Sequence, residues 1–245
     1  MNTTAQTPPD TTAGDGVSAD GVTDTIPADG EGRPTAPAAP AAPAAPAAPG
    51  EAGASREYRL ARLVTDGVEP KNVIIVLVLL LGVVRYGLAG LGWGAFAALF
   101  AAVIPTWFIR RGMRRGEIED RHVGQRKRRL VVLPLVLLSV LTSLVTMVLL
   151  DAPTDMTAIV LAMFASLLPL LLVTVWWKIS VHTAVTGGAT VCLALALSPW
   201  WLLAAPVVGV VAWSRVVLRD HTLAQTVAGT ALGAVTAGLT FWAAR

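Results

Sequence analysis

Long apolar segments are the feature that most constrains how this chain can fold. The 245 residues are 54% hydrophobic and only 14% charged, and the apolar residues come in blocks separated by short polar connections. A run of about 18 or more apolar residues can cross a bilayer as a helix. The blocks predict spans at 72–90, 92–109, 130–150, 156–176, 183–198, 200–217 and 222–243. The expected fold class is therefore all-α, a polytopic membrane helix bundle with six to seven transmembrane helices.

The N-terminal segment has a different composition from the rest of the chain. Residues 1–55 carry seven acidic residues and one arginine, and they include the repeat TAPAAPAAPAAPAAPG. Proline at every third position favours extended polyproline II, and few apolar side chains are present to offset the entropy of ordering. We expect a disordered tail over 1–55, a juxtamembrane segment over 56–71 and a membrane domain over 72–245. The juxtamembrane segment fits both an interfacial helix and a solvated lead-in.

Basic residues gather on one side of the predicted bundle. With the spans alternating across a bilayer, we call the side that holds the N-terminal tail the near side. The near side receives three polar clusters, at 110–129, 178–182 and 215–221. The far-side connections are GLG around Leu91, DAPTD around Pro153 and the Ser198–Pro199 corner, which have almost no basic residues. Arginine-rich clusters at membrane depth suit phosphate, whose oxygens accept bidentate hydrogen bonds from guanidinium groups.

Two histidines lie in these near-side clusters, and the residues alone leave their role open. His182 and His221 could act as a nucleophile and a proton donor, because imidazole titrates near neutrality. Ser180 could add a hydroxyl group near the start of a helix. The alternative is structural, since juxtamembrane arginines are commonly topology signals and a single interfacial histidine is commonly a packing residue.

A resemblance favours the catalytic interpretation. The stretch SRVVLRDHTLAQ, residues 214–225, resembles the third signature of the type 2 phosphatidic acid phosphatase family, S-R-x5-H-x3-D, with Ser214, Arg215 and His221 in register. The earlier stretch KISVH is similar to the second signature, P-S-G-H, and keeps Ser180 and His182. The stretch RHVGQRKRR has the spacing of the first signature, K-x6-R-P, at Arg121 and Arg128.

The resemblance implies a histidine-dependent hydrolase that acts on lipid phosphates. By analogy His221 attacks phosphorus and forms a phosphohistidine, and His182 protonates the leaving oxygen. The phosphoryl oxygens would be held by Arg121, Arg128, Ser180 and Arg215. Fixed cations in a site of low dielectric stabilise the charge that phosphoryl transfer spreads over the equatorial oxygens. No metal or other cofactor is expected, and the single cysteine excludes a cysteine-rich metal site.

Several residues depart from the family pattern. Gln225 stands where the family has an aspartate, four residues after His221 and on the same helical face. Its carbonyl can accept the ring N–H but supplies no negative charge, so slower chemistry is expected. The resemblance is to the dolichyl-diphosphate phosphatase branch at this position, which favours a polyprenyl diphosphate. Ile179 and Val181 replace proline and glycine, and Arg121 replaces lysine.

The expected function is that of an integral membrane phosphatase for an isoprenoid (di)phosphate or a phosphatidic acid-like lipid. One alternative is a catalytically silent relative that binds phosphorylated lipids or acts as a membrane scaffold, and another is a small transporter. Expected partners are the phosphorylated lipid substrate and membrane lipids, with no nucleic acid and the oligomeric state left open. The basic near-side loops indicate a plasma-membrane protein whose site faces the cytoplasm, whereas many family members have their site outside it.

Overall fold

The computed structural model describes residues 55–114 and 124–245, with side chains described from Val132 onwards in the second range. All regular structure in these ranges is helical. The helices are α1 (Arg56–Gly67), α2 (Pro70–Ala98), α3 (Ile104–Arg114), α4 (Gly124–Leu149), α5 (Thr154–Trp176), α6 (Val181–Ala196), α7 (Ala205–Val217) and α8 (Leu223–Ala244). A π-helical turn (Leu99–Val103) joins α2 to α3, and a 3-10 turn (Pro199–Ala204) precedes α7. The predicted disordered tail lies outside the described residues, apart from Ser55.

The membrane character of the fold is confirmed, whereas the predicted number of spans is not. Five helical segments are long and apolar enough to cross a membrane: Pro70–Gly112, Val132–Leu149, Thr154–Trp176, Pro199–Val217 and Leu223–Ala244. The first of these contains both of the spans expected at 72–90 and 92–109. The span expected at 183–198 corresponds to α6, which is apolar but has only 16 residues.

Helix α2 folds back on itself at Gly87. The backbone at Gly87 has φ 61° and ψ −139°, a conformation that side chains disfavour and glycine tolerates. In a straight helix Val78 and Gly94 would lie about 24 Å apart. Instead, a Cβ atom built on Gly94 would lie 2.5 Å from the Val78 carbonyl oxygen. The two arms of α2, residues 70–86 and 88–98, therefore pack side by side in opposite directions.

Helices α6 and α8 form a closely packed parallel pair. Gly229 packs on the carbonyl oxygen of Ser180, and Gly233 packs on that of Ala184. Because the residue numbers rise together along both helices, α6 and α8 begin at the same end of the bundle. Gly229 and Gly233 are four residues apart, a small-xxx-small spacing that permits close helix packing.

The far side of the bundle carries charged residues that the sequence analysis underestimates. Arg85 Nε donates to Asp155 Oδ2 at 2.7 Å, and this pair joins the first arm of α2 to the start of α5. The Asp155 side chain is buried, whereas that of Arg85 is half-exposed. Arg245, at the end of α8, donates to the carbonyl oxygen of Leu195 at the end of α6. Both contacts stabilise the end opposite to the near side.

Candidate functional site

The near side of the bundle brings together the start of α6 and the start of α8. The backbone N–H of Ser180 donates to the carbonyl oxygen of Gln225 at 3.3 Å. The hydroxyl of Thr183 donates to the carbonyl oxygen of Thr226 at 2.9 Å. Two segments about forty residues apart in sequence, 178–183 and 221–226, are therefore neighbours in the fold.

A tight turn after α7 holds Arg215 and His221 close in the backbone. The N–H groups of Asp220 and His221 donate to the carbonyl oxygen of Arg215 at 3.1 and 3.2 Å, and the N–H of Arg219 donates to that of Val216. This is a Schellman-type helix end, in which Arg219 takes the left-handed conformation (φ 55°) that glycine more often occupies. The turn brings the chain back toward the end of α7 before α8 begins.

A capping box at the start of α8 orients His221. Thr222 Oγ1 accepts from the backbone N–H of Gln225, and Gln225 Oε1 accepts from the backbone N–H of Thr222 at 3.1 Å. Since that N–H must face an oxygen, the side-chain amide orientation of Gln225 is settled. The same Oε1 lies 3.3 Å from His221 Nδ1. Because Oε1 can only accept, Nδ1 of the buried His221 is the donor in this contact.

Arg215 is a largely buried cation that forms an ion pair with Asp220. Its side chain is 11% exposed, and Nη2 lies 2.9 Å from Asp220 Oδ2. Asp220 thus contacts the guanidinium group of Arg215, while Gln225 contacts the His221 ring. The Nε–H of Arg215 is buried and has no hydrogen-bond partner among the described residues.

Ser180 carries a second unsatisfied polar atom at this end of the bundle. The residue is fully buried at the N-cap position of α6, yet its hydroxyl makes no capping hydrogen bond. Its Oγ has no hydrogen-bond partner among the described residues. Leaving a buried polar group unsatisfied costs about 1–3 kcal/mol, and such groups are rare in folded proteins. Ser180 and Arg215 each therefore have capacity for an additional hydrogen bond.

Of the remaining predicted site residues, the structure describes the side chain of His182 but not those of Arg121 and Arg128. His182 lies half-buried in the first turn of α6, next to Thr183, and so at the same end as His221. Arg121 lies outside the described residues. Arg128 lies in the first turns of α4, but its side chain is not described. The phosphate-binding role of these two arginines stays a prediction.

The departures Ile179 and Val181 have a packing explanation. Ile179 is 1% exposed and packs in an apolar cluster with Leu133, Leu170 and Ala184. Val181 contacts this cluster and also lines an apolar cavity inside the bundle. Both residues fill the apolar space behind Ser180, which proline and glycine would leave less well packed.

An apolar cavity extends from this end into the middle of the bundle. Residues of α2, α4, α5, α6 and α8 line it, from Val181 at the start of α6 to Cys192 farther along the same helix. This distance is about 16 Å along the helix axis. The empty space is about 680 Å³ with its open part included. The cavity could hold an apolar group whose polar end lies near Ser180.

Thr222 and Thr65 also hold this site together, and neither was among the predicted site residues. Thr222 and Gln225 have the spacing of a capping box, T-x-x-Q, so the pattern was visible in the sequence. Thr65 of α1 contacts Ser214 at 3.1 Å, and no local signal connects residues so far apart in sequence.

These features define a multi-pass helical membrane protein with a buried polar cluster at one end and an adjoining apolar cavity. Among the described residues, no group of three or more histidine, cysteine or carboxylate side chains could hold a metal ion. No family model, no curated protein and no solved structure matches the chain.

Proposed function

We propose that this protein is an integral membrane phosphatase that hydrolyses a lipid phosphate or diphosphate through a phosphohistidine intermediate. The observation that carries the proposal is the pair of buried, unsatisfied polar atoms on the near side, Ser180 Oγ and Arg215 Nε. A phosphoryl group would supply the oxygen acceptors that both atoms lack. The resemblance of residues 214–225 to a lipid phosphatase signature supports the same assignment.

The electrostatics of the near side support binding of an anion. Helices α6 and α8 run parallel, so the positive ends of both helix dipoles lie at the same end of the bundle. Arg215 adds a guanidinium group that is largely removed from water. In this proposal Arg121 and Arg128 supply further cations to the phosphoryl oxygens.

The tautomer of His221 supports its role as the nucleophile. With Nδ1 donating to Gln225 Oε1, Nε2 is the ring nitrogen that attacks phosphorus in this proposal. The bond between phosphorus and the leaving oxygen breaks, which is the lipid alcohol oxygen in a monophosphate and the bridging oxygen in a diphosphate. His182 donates a proton to that oxygen. Water, deprotonated by His182, then attacks the phosphohistidine and releases phosphate.

The apolar cavity is the proposed site of the lipid tail. It begins at Val181, beside the proposed phosphate site, and continues to Cys192. The arrangement suits a linear isoprenoid or acyl chain, with its phosphate at the near side. In this proposal the first arm of α2, the second arm of α2 continued through the π-helical turn into α3, and the short helix α6 each cross the bilayer, giving seven crossings.

The decisive experiment measures phosphate release by the purified full-length chain. The substrates are a panel of polyprenyl monophosphates and diphosphates, phosphatidic acid and a water-soluble aryl phosphate. Release that saturates with a lipid phosphate supports the proposal. Absence of release from every substrate would overturn the enzyme assignment.

The neutral side chain of Gln225 favours a second candidate function. Because Gln225 contacts His221 but supplies no charge to it, the chain could bind phosphorylated lipids without turning them over. Saturable binding of polyprenyl phosphate with no release of phosphate would select this candidate.

Replacing Gln225 with glutamate is expected to raise turnover about fivefold. Glutamate keeps the length needed for the capping box and replaces a neutral acceptor by a charged one, a difference of about 1 kcal/mol in hydrogen-bond strength. Gln225→Asp is expected to give equal or faster turnover than wild type. Gln225→Leu, which lacks an acceptor, serves as the control and is expected to lose activity. Slower turnover in the glutamate and aspartate variants would contradict this role of Gln225.

The proposed topology places the near side in the cytoplasm of a plasma-membrane protein. Arg56, Arg59 and Arg62 in α1 and the basic end of α3 support this orientation. In a Cys192→Ser background, Arg114→Cys is expected to escape an impermeant thiol reagent in intact cells and to react after permeabilisation. Thr154→Cys, at the exposed start of α5 on the other side, is the matched control and is expected to react in intact cells. Labelling with the opposite pattern would reverse the orientation.

A further inference from the structure

A buried hydrogen bond joins the N-terminal helix to the proposed phosphate site. Thr65 Oγ1 and Ser214 Oγ lie 3.1 Å apart, and the two residues are 9% and 0% exposed. Ser214 has a single hydroxyl hydrogen and donates it to the carbonyl oxygen of Val211 at 2.8 Å. Thr65 is therefore the donor and Ser214 the acceptor. The bond connects α1 to the last turns of α7.

The end of α7 receives little support from the side that faces away from the bundle. Trp213 and Val216 are 38% and 37% exposed. Ser214 faces inward, and α1 lies against it with the buried residues Ala61 and Thr65. The contact with α1 therefore limits rotation of the helix end from which Arg215 projects.

Charged residues of α1 also lie within electrostatic range of Arg215. Arg62 and Asp66 form a loose, exposed ion pair at 3.7 Å on α1. Both charges interact with the Arg215 guanidinium group. Arg62 repels the guanidinium group and Asp66 attracts it, so α1 contributes charges of both signs near Arg215.

We propose that Thr65 is a positioning residue that sets the orientation of Arg215 toward the phosphoryl group. The inference rests on the proposed function. A long arginine side chain magnifies a small rotation of its helix, and a displacement of about 1 Å can cost a hundredfold in rate. Thr65 acts through Ser214 and Arg215 and does not itself touch the substrate.

The test compares two substitutions that differ in one hydroxyl group. Thr65→Val removes the donor at nearly constant shape, and Thr65→Ser keeps it. We expect Thr65→Val to lower kcat/KM for a lipid phosphate about tenfold and Thr65→Ser to retain most activity. Thr142→Val is the matched control, because Thr142 donates only within its own helix to Leu138 among the contacts of the described residues.

A double substitution separates positioning from general stability. If Thr65 acts through Arg215, Thr65→Val should have little further effect on kcat/KM in an Arg215→Lys background. A structural role would give a loss of the same size in both backgrounds. The thermal unfolding midpoints of the single variants show whether folding is affected.

Orthovanadate provides a readout that does not require turnover. As a phosphate analogue it is expected to raise the unfolding midpoint of the wild-type chain, with a half-maximal concentration about tenfold higher in Thr65→Val. If the wild-type chain releases no phosphate, the proposed function fails. The difference in half-maximal orthovanadate concentration between wild type and Thr65→Val then tests the role of Thr65 by itself. Equal release and an equal orthovanadate response in Thr65→Val and wild type would overturn the role of Thr65 and leave the proposed function standing.

Discussion

Substitution of His221 by alanine is expected to abolish phosphate release, with a loss of at least about a thousandfold in kcat. The ring is buried at the start of α8, and its Nδ1 lies 3.3 Å from Gln225 Oε1. Alanine removes the protein atom that forms a bond to phosphorus in the proposed mechanism. The measurement is the initial rate of phosphate release by purified full-length protein, with wild type and variant at equal folded concentration.

The choice of substrate separates the two proposed histidine roles. An alkyl or prenyl oxygen needs a proton as it leaves, whereas the anion of an acidic phenol does not. His182→Ala should therefore lose about a hundredfold or more with a lipid phosphate and much less with an aryl phosphate. His221→Ala should lose activity with both, because departure of either group requires His221 as the attacking nucleophile.

Trapping the phosphohistidine intermediate tests the role of His221 directly, and a third histidine provides the control. Brief incubation with radioactive lipid phosphate should label the wild-type protein with a phosphoryl group that is stable in base and labile in acid, as a phosphoramidate is. The His221→Ala protein should remain unlabelled. His122→Ala is the control, since His122 has no part in the proposed chemistry. Phosphate release by His221→Ala at the rate of wild type would exclude this histidine as the nucleophile.

The apolar runs predict the membrane fold class because burial in lipid demands a continuous apolar helix surface. They do not predict where α2 reverses. The stretch from Gly87 to Gly94 contains several glycines, and the sequence analysis placed the connection around Leu91 rather than at Gly87. The choice depends on packing between the two arms, where Gly90 meets Gly82. Such a contact cannot be read from local composition.

The candidate site residues were chosen because they follow a recognisable spacing in the sequence. Ser180 and Gln225 belong to separate motifs, and the fold makes them neighbours through a backbone hydrogen bond. The ion pair between Arg215 and Asp220 was not predicted, because it depends on the left-handed turn at Arg219. The contact of Thr65 with Ser214 was also missed, since only the docking of α1 on α7 brings them together.

Substitution of Gly233 by alanine is expected to destabilise the bundle by about 3 kcal/mol. A Cβ atom at this position would overlap the carbonyl oxygen of Ala184 in α6, and a backbone atom cannot move aside as a flexible side chain can. Helices α6 and α8 must then separate, which also separates Ser180 from Gln225 at the start of the pair. The expected result is a thermal unfolding midpoint in detergent lower by about 10 °C, together with reduced phosphate release.

A graded series of glycine substitutions tests whether close parallel packing is the cause. Gly209→Ala in α7 adds a Cβ atom with nothing within 4 Å, so its unfolding midpoint should equal or exceed that of wild type. Gly188→Ala adds one 3.1 Å from the Gly233 carbonyl oxygen and should fall between the two extremes. This order follows from the available space alone, because all three substitutions have the same favourable effect on helix propensity. A Gly233→Ala protein as stable as the Gly209→Ala protein would contradict the close contact between α6 and α8, and with it the joining of the two halves of the proposed phosphate site.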